Sequence, residues 1–164
     1  MASQPKKQQL QIRVSRAEKS AIERAAKRAG LDMSSYVLSR VLSLPAAQFQ
    51  EHTDAAASDE PSYGLAELNT LLTGLPAADL KEAVAAPPTA TLTPFVANYV
   101  AAMVELACAR RNIAIPRWTR AVPPLGVPWF ASQVLALRHY LLTHSPAPFR
   151  RRNLFIDSTL GARV

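Results

Sequence analysis

The sequence predicts a mainly α chain in three parts: a strand with two short helices, a linker, and a small helical C-terminal domain. Three observations carry this. Residues 8–14 alternate, with Leu10, Ile12 and Val14 on one side and Gln9, Gln11 and Arg13 on the other. Two helix-cap signals follow before residue 45, and apolar residues at helical spacing return only after an acidic stretch that is poor in large apolar side chains. A lone strand is not stable in water. Pairing it with the same strand of a second copy gives a two-stranded antiparallel ribbon, one per homodimer.

Each early element has a local cause. Ser15-Arg16-Ala17-Glu18 is a capping box, so a helix starts at Arg16. Ile22, Ala25, Ala26 and Ala29 form its apolar stripe, and Gly30 ends it in the left-handed conformation. Asp32 caps the next helix, whose first turn is Met33, Ser34 and Ser35 and whose buried side is Tyr36, Val37, Leu38, Val41 and Leu42. Pro45 terminates it.

Strand, helix, glycine turn and helix in this order resemble a ribbon-helix-helix DNA-binding domain, notably that of bacterial toxin-antitoxin antitoxins and small plasmid regulators. The resemblance covers residues 8–44 and rests on Leu10-Gln11-Ile12-Arg13-Val14-Ser15, on the Ala25-to-Leu31 turn and on Ser34-Ser35-Tyr36-Val37-Leu38. It implies that Gln9, Gln11 and Arg13 read base edges, and that Met33, Ser34 and Ser35 anchor a phosphate at the amino end of the second helix. Asp32 works against that anchor, because its negative charge favours the helix dipole but repels phosphate. The reading residues also stand on their chemistry: glutamine pairs bidentately with adenine and arginine with guanine in the major groove.

Charge is segregated. Residues 1–45 carry nine Lys or Arg against three acids, residues 46–100 one against seven, and residues 101–164 nine against two. Lys6 and Lys7, just before the strand, suit phosphate contact. No apolar run is long enough to span a membrane and the Lys-rich start is no secretory signal, so a cytoplasmic, nucleoid-associated protein is expected. The single Cys108, among Val104, Leu106 and Ala107, reads as a small buried hydrophobe.

From these patterns we expect domains at 1–45 and 65–164, with a flexible acidic linker over 46–64, where Phe49 and Tyr63 are the only large apolar residues. Leu65, Leu68, Leu71 and Leu72 mark a short helix and residues 76–84 another. Thr93 caps a longer one, with Pro94 in its first turn and Phe95, Val96, Tyr99, Val100, Met103 and Val104 along it. A proline-rich aromatic stretch follows and is expected to pack as an ordered loop. The final helix is expected over residues 128–143, with Phe130, Val134, Leu137 and Leu141 on one side. Trp118, Trp129, Phe130, Arg150, Arg151 and Arg152 are the candidate partner-binding residues, since aromatics and arginine anchor protein interfaces.

Catalysis has no constellation to support it. His139 and His144 diverge on a helix, Glu105 and Asp157 read as arginine partners, and no metal-ligand spacing or phosphate-binding glycine loop occurs. No enzyme activity, cofactor or metal is expected. The leading reading is a homodimeric antitoxin and autorepressor that binds double-stranded operator DNA and neutralises a cognate toxin enzyme encoded by the adjacent gene. The alternative is an accessory DNA-binding protein of plasmid mobilisation or partition, which brings a processing enzyme to an origin.

Overall fold

The computed structural model describes residues 11–28, 30–41 and 44–157. The chain divides into two compact units, Met1–Leu42 and Ser43–Val164.

The first unit holds α1 (Arg16–Arg28) and α2 (Met33–Val41). Both begin where the sequence places them, for the expected reason. The Ser15 amide donates to Glu18 Oε2 at 2.7 Å and the Glu18 amide to Ser15 Oγ at 3.3 Å, closing the capping box. The bond accepted from the Ser15 amide, and then the Ser15 side chain, hold the Glu18 carboxyl below its usual range. Gly30 turns the chain at φ +68°, and the Ser35 amide donates to Asp32 Oδ1 at 3.0 Å. The expected ribbon is not shown. Gln8, Gln9 and Leu10 lie outside the described residues, and residues 11–15 form no strand within one chain.

The second unit departs first where a linker was expected. Residues 46–64 are not a flexible connector: α3 (Leu44–Ala56) and α4 (Pro61–Gly74) form a helical hairpin. Pro45 therefore sits in the first turn of α3, where its missing N–H costs nothing. Alanines favour the helix, Phe49, Thr53 and Ala56 are buried, and the acids Glu51, Asp54, Asp59 and Glu60 face solvent. Gly64 fixes the hairpin's closest approach, since a Cβ there would lie 2.3 Å from the Ala56 nitrogen. The folded unit thus begins near Ser43, not at residue 65.

Next come α5 (Ala77–Ala83) and α6 (Pro94–Arg110). Thr93 Oγ1 accepts from the Val96 amide at 3.3 Å, the cap expected. Val96, Val100, Ala101, Ala102, Met103, Val104, Ala107 and Cys108 are all buried on α6. Apolar side chains on nearly every side make α6 the centre of the core, against Phe49, Leu68, Leu72 and Leu80. Asn112 reverses the chain at φ +53°, and the aromatic stretch then packs as an ordered loop. Its 3-10 helix, Arg117–Ala121, buries Thr119 and carries Trp118, which packs near Phe49.

The last helix also differs from expectation. Residues 128–134 are not helical, because Trp129–Phe130 (β1) pairs in parallel with Leu154–Phe155 (β2), leaving α7 to span Leu135–His144. Of the expected apolar side only Leu141 is buried, while Val134 and Leu137 are exposed. A short α8 (Ala147–Arg150) and Asn153 at φ +57° lead into β2.

Candidate functional site

In the first unit, Gln11 and Arg13 are exposed, as base-reading side chains must be, and so are Ile12 and Val14 at 57% and 43%. Leu31 and Met33 are also exposed, and Ala26 is the one buried residue among those described in this unit. Among the described residues of this unit, Ile12 and Val14 alternate with Gln11 and Arg13 and remain in water. Around them stand Arg16, Lys19, Arg24, Lys27 and Arg28, with only the Lys19–Glu23 pair as a described ion pair, exposed and 4.0 Å long. Lys6, Lys7 and Gln9 lie outside the described residues.

The phosphate anchor expected at α2 is partly taken up by the chain itself. Asp32 takes the Ser35 amide and also accepts from Ser35 Oγ, so one of the three expected donors is already engaged. Met33 and Ser34 remain exposed at that helix end.

In the second unit the six expected partner-binding residues separate by role. Trp118 is a packing residue: its Nε1 donates to the Val84 carbonyl at 2.8 Å and its ring sits 6.3 Å from that of Phe49. Arg152 does not share the exposed turn of Arg150 and Arg151. It is buried, bonding Glu105 Oε1 at 2.6 Å and the Thr119 carbonyl at 2.7 Å, with longer bonds to Asn98 Oδ1 and the Val122 carbonyl. Glu105 is thus the arginine partner expected. Phe130 stacks on Phe155 at 4.7 Å under the Arg138 guanidinium. Trp129 alone of the large aromatics is both exposed and at the edge of a cavity.

That cavity is a trough of about 450 Å³ between α4 and α6, closed on one side by the C-terminal segment. Phe95, Tyr99, Met103 and Leu106 run along its α6 wall, with Arg110 and Arg111 at the end. On the α4 side, Ser62, Ala66, Asn69 and Thr73 line it together with Leu65 and Leu72. Phe95 packs on Trp129 at 4.9 Å and Tyr99 on Phe149 at 5.3 Å, and burial pushes the Tyr99 hydroxyl pKa up. The sequence placed Phe95, Tyr99 and Met103 along the apolar side of this helix; that they line a cavity ending at Arg110 was not legible there. Burial, with Glu105 nearby, likewise raises the Cys108 thiol, which stays protonated and inert. Among the described residues, no three His, Cys, Asp or Glu side chains converge as metal ligands.

Comparison with known families bears on the first unit and beyond it. Residues 4–71 match the NikA-like family model, described as Mobilization protein NikA. The match covers less than half the chain, yet it passes through the basic first unit and continues across α3 into α4. It falls on the mobilisation alternative and lends nothing to the toxin-antitoxin reading. No curated protein and no solved structure matches the chain. Among the described residues no helix is long and apolar enough to cross a membrane.

Proposed function

We propose that this chain is a DNA-binding accessory protein of DNA mobilisation: a homodimer that marks an origin and brings a DNA-processing enzyme to it. The observation that carries the reading is the mobilization-protein match over residues 4–71, the stretch that contains the reading face and its basic flank. Two copies pair through residues 8–14, so that Leu10, Ile12 and Val14 close a shared core under α1 and α2. Gln9, Gln11 and Arg13 then project from the ribbon into the major groove, which admits a two-stranded ribbon. Lys6, Lys7, and the exposed arginines and lysines of α1 supply sequence-independent affinity to phosphates. The chain performs no chemistry in this reading; it positions another protein.

Footprinting on DNA flanking the gene, with Gln11→Ala and Arg13→Ala beside the parent, tests this. Each change should lower discrimination by about 1–3 kcal/mol while the protein stays folded and dimeric. Both variants retaining a sharp footprint would rule out the ribbon as the reader.

A further inference from the structure

We propose that the trough between α4 and α6 is a docking site for an acidic amphipathic helix of the partner protein. This rests on the mobilisation reading for who the partner is, but the chemistry is set by the trough itself. Phe95, Tyr99, Met103 and Leu106 recur at intervals of three and four along one face of α6, and the same face ends on Arg110. From Phe95 to Arg110 the helix rises about 23 Å, the length of roughly four turns of a second helix laid beside it.

The opposite wall allows such a helix to come close. Ser62, Ala66, Asn69 and Thr73 present polar or short side chains at the same helical interval on α4, with Leu65 and Leu72 adding to the apolar floor between them and α6. The Arg111 guanidinium donates to the Thr73 carbonyl and ties the two walls together at one end of the trough. Aromatics, methionine and arginine around an apolar floor are the composition of an interface centre. An amphipathic helix answers it with apolar anchors spaced by three, four and seven.

Charge selects the sign of the guest. Arg110 is exposed at the trough's end with Arg111 beside it, whereas Asp157 is the one acid on its described lining. A basic helix such as the exposed α7, which carries Arg138, His139 and His144 and no acid, does not match this rim. A helix bearing Asp or Glu beyond its apolar anchors does, through charge-assisted bonds to the guanidinium groups.

The test uses the full chain and a displayed library of helical peptides of about 15 residues, the length that spans the trough. Selected peptides should be rich in Asp and Glu, with apolar residues three or four apart. Ala66→Trp fills the trough from an exposed position, and Arg110→Glu reverses the rim; each should weaken the selected peptides about tenfold or more, roughly 1.4 kcal/mol. Circular dichroism and DNA binding of both variants should match the parent, which separates this claim from the DNA-binding one. Selection of no binders, of basic binders, or of binders indifferent to Ala66→Trp would overturn the proposal. So would a change of oligomeric state in Ala66→Trp, because the trough would then hold a second copy of the chain.

Discussion

The two units obey the same rule of burial with different numbers of chains. Ser43–Val164 closes its core alone: Phe49, Leu68, Leu72, Leu80, Val100, Val104 and Leu154 are fully or almost fully enclosed, and even a buried guanidinium finds its carboxylate. Met1–Leu42 buries only Ala26 among its described residues and leaves Ile12, Val14, Leu31 and Met33 in water. Local signals are as well formed in the first unit as on the central helix of the second, since α1, α2 and α6 all carry side-chain caps. Capping decides where a helix begins; it does not supply a core. In the reading proposed above, the difference makes the first unit the place where a second copy would complete the core, while the second unit encloses a core of its own.

The sharpest way to break the contrast is to spoil the second unit's internal pairing. Arg152→Ala leaves Glu105 buried and unpaired, and should cost about 3–5 kcal/mol in urea unfolding. Glu105→Ala, which strands the guanidinium, should cost a similar amount. If either were tolerated within about 0.5 kcal/mol, the buried pair would not be holding α6 to the residues before β2.

Gly64→Ala should come next. The added methyl meets backbone atoms of Ala55 and Ala56, which cannot swing aside as the end of a long side chain can, so the α3–α4 hairpin must part. An expected loss of about 1–3 kcal/mol would be read from the thermal midpoint. No loss would mean that the hairpin breathes at its closest point.

Smaller effects belong to the first unit. Ser15→Ala removes the cap of α1 and should cost about 1 kcal/mol, visible as lost helix signal before the second unit unfolds. The capping box also carries a pH signature. Because the Glu18 carboxyl is held below its usual range when folded, its contribution is complete above the unfolded value of about 4.3 and fades as pH falls through the folded one. Helix content of α1 that stayed constant down to pH 2 in the parent would contradict that coupling. Lys19→Ala, which loses only an exposed pair, should change stability by no more than about 0.3 kcal/mol.

What the sequence made legible follows the same division. Caps, glycine turns and the long α6 are written in neighbouring residues, so Ser15, Gly30, Asp32 and Thr93 announced them. The α3–α4 hairpin was hidden because its packing uses Ala56 and Gly64, where closeness of backbones replaces bulk, and a search for large apolar residues reads such a stretch as linker. Arg152 could not be told from Arg150 and Arg151, since its burial depends on Glu105, distant in sequence. Parallel pairing of β1 with β2 leaves no local mark either, which is why residues 128–134 read as the start of a helix. The trough was invisible for a related reason: α6 spells its face, but only the fold shows that a cavity remains between that face and α4.

The central claim is that two copies complete the first unit and that the completed ribbon reads DNA. Sedimentation velocity of the full chain beside an Ile12→Asp, Val14→Asp double variant tests it most directly, with DNA binding measured on the same samples. The account predicts a dimeric parent and a monomeric variant that has lost DNA binding while the second unit unfolds at an unchanged urea midpoint. A variant that stays dimeric and still binds DNA would contradict it.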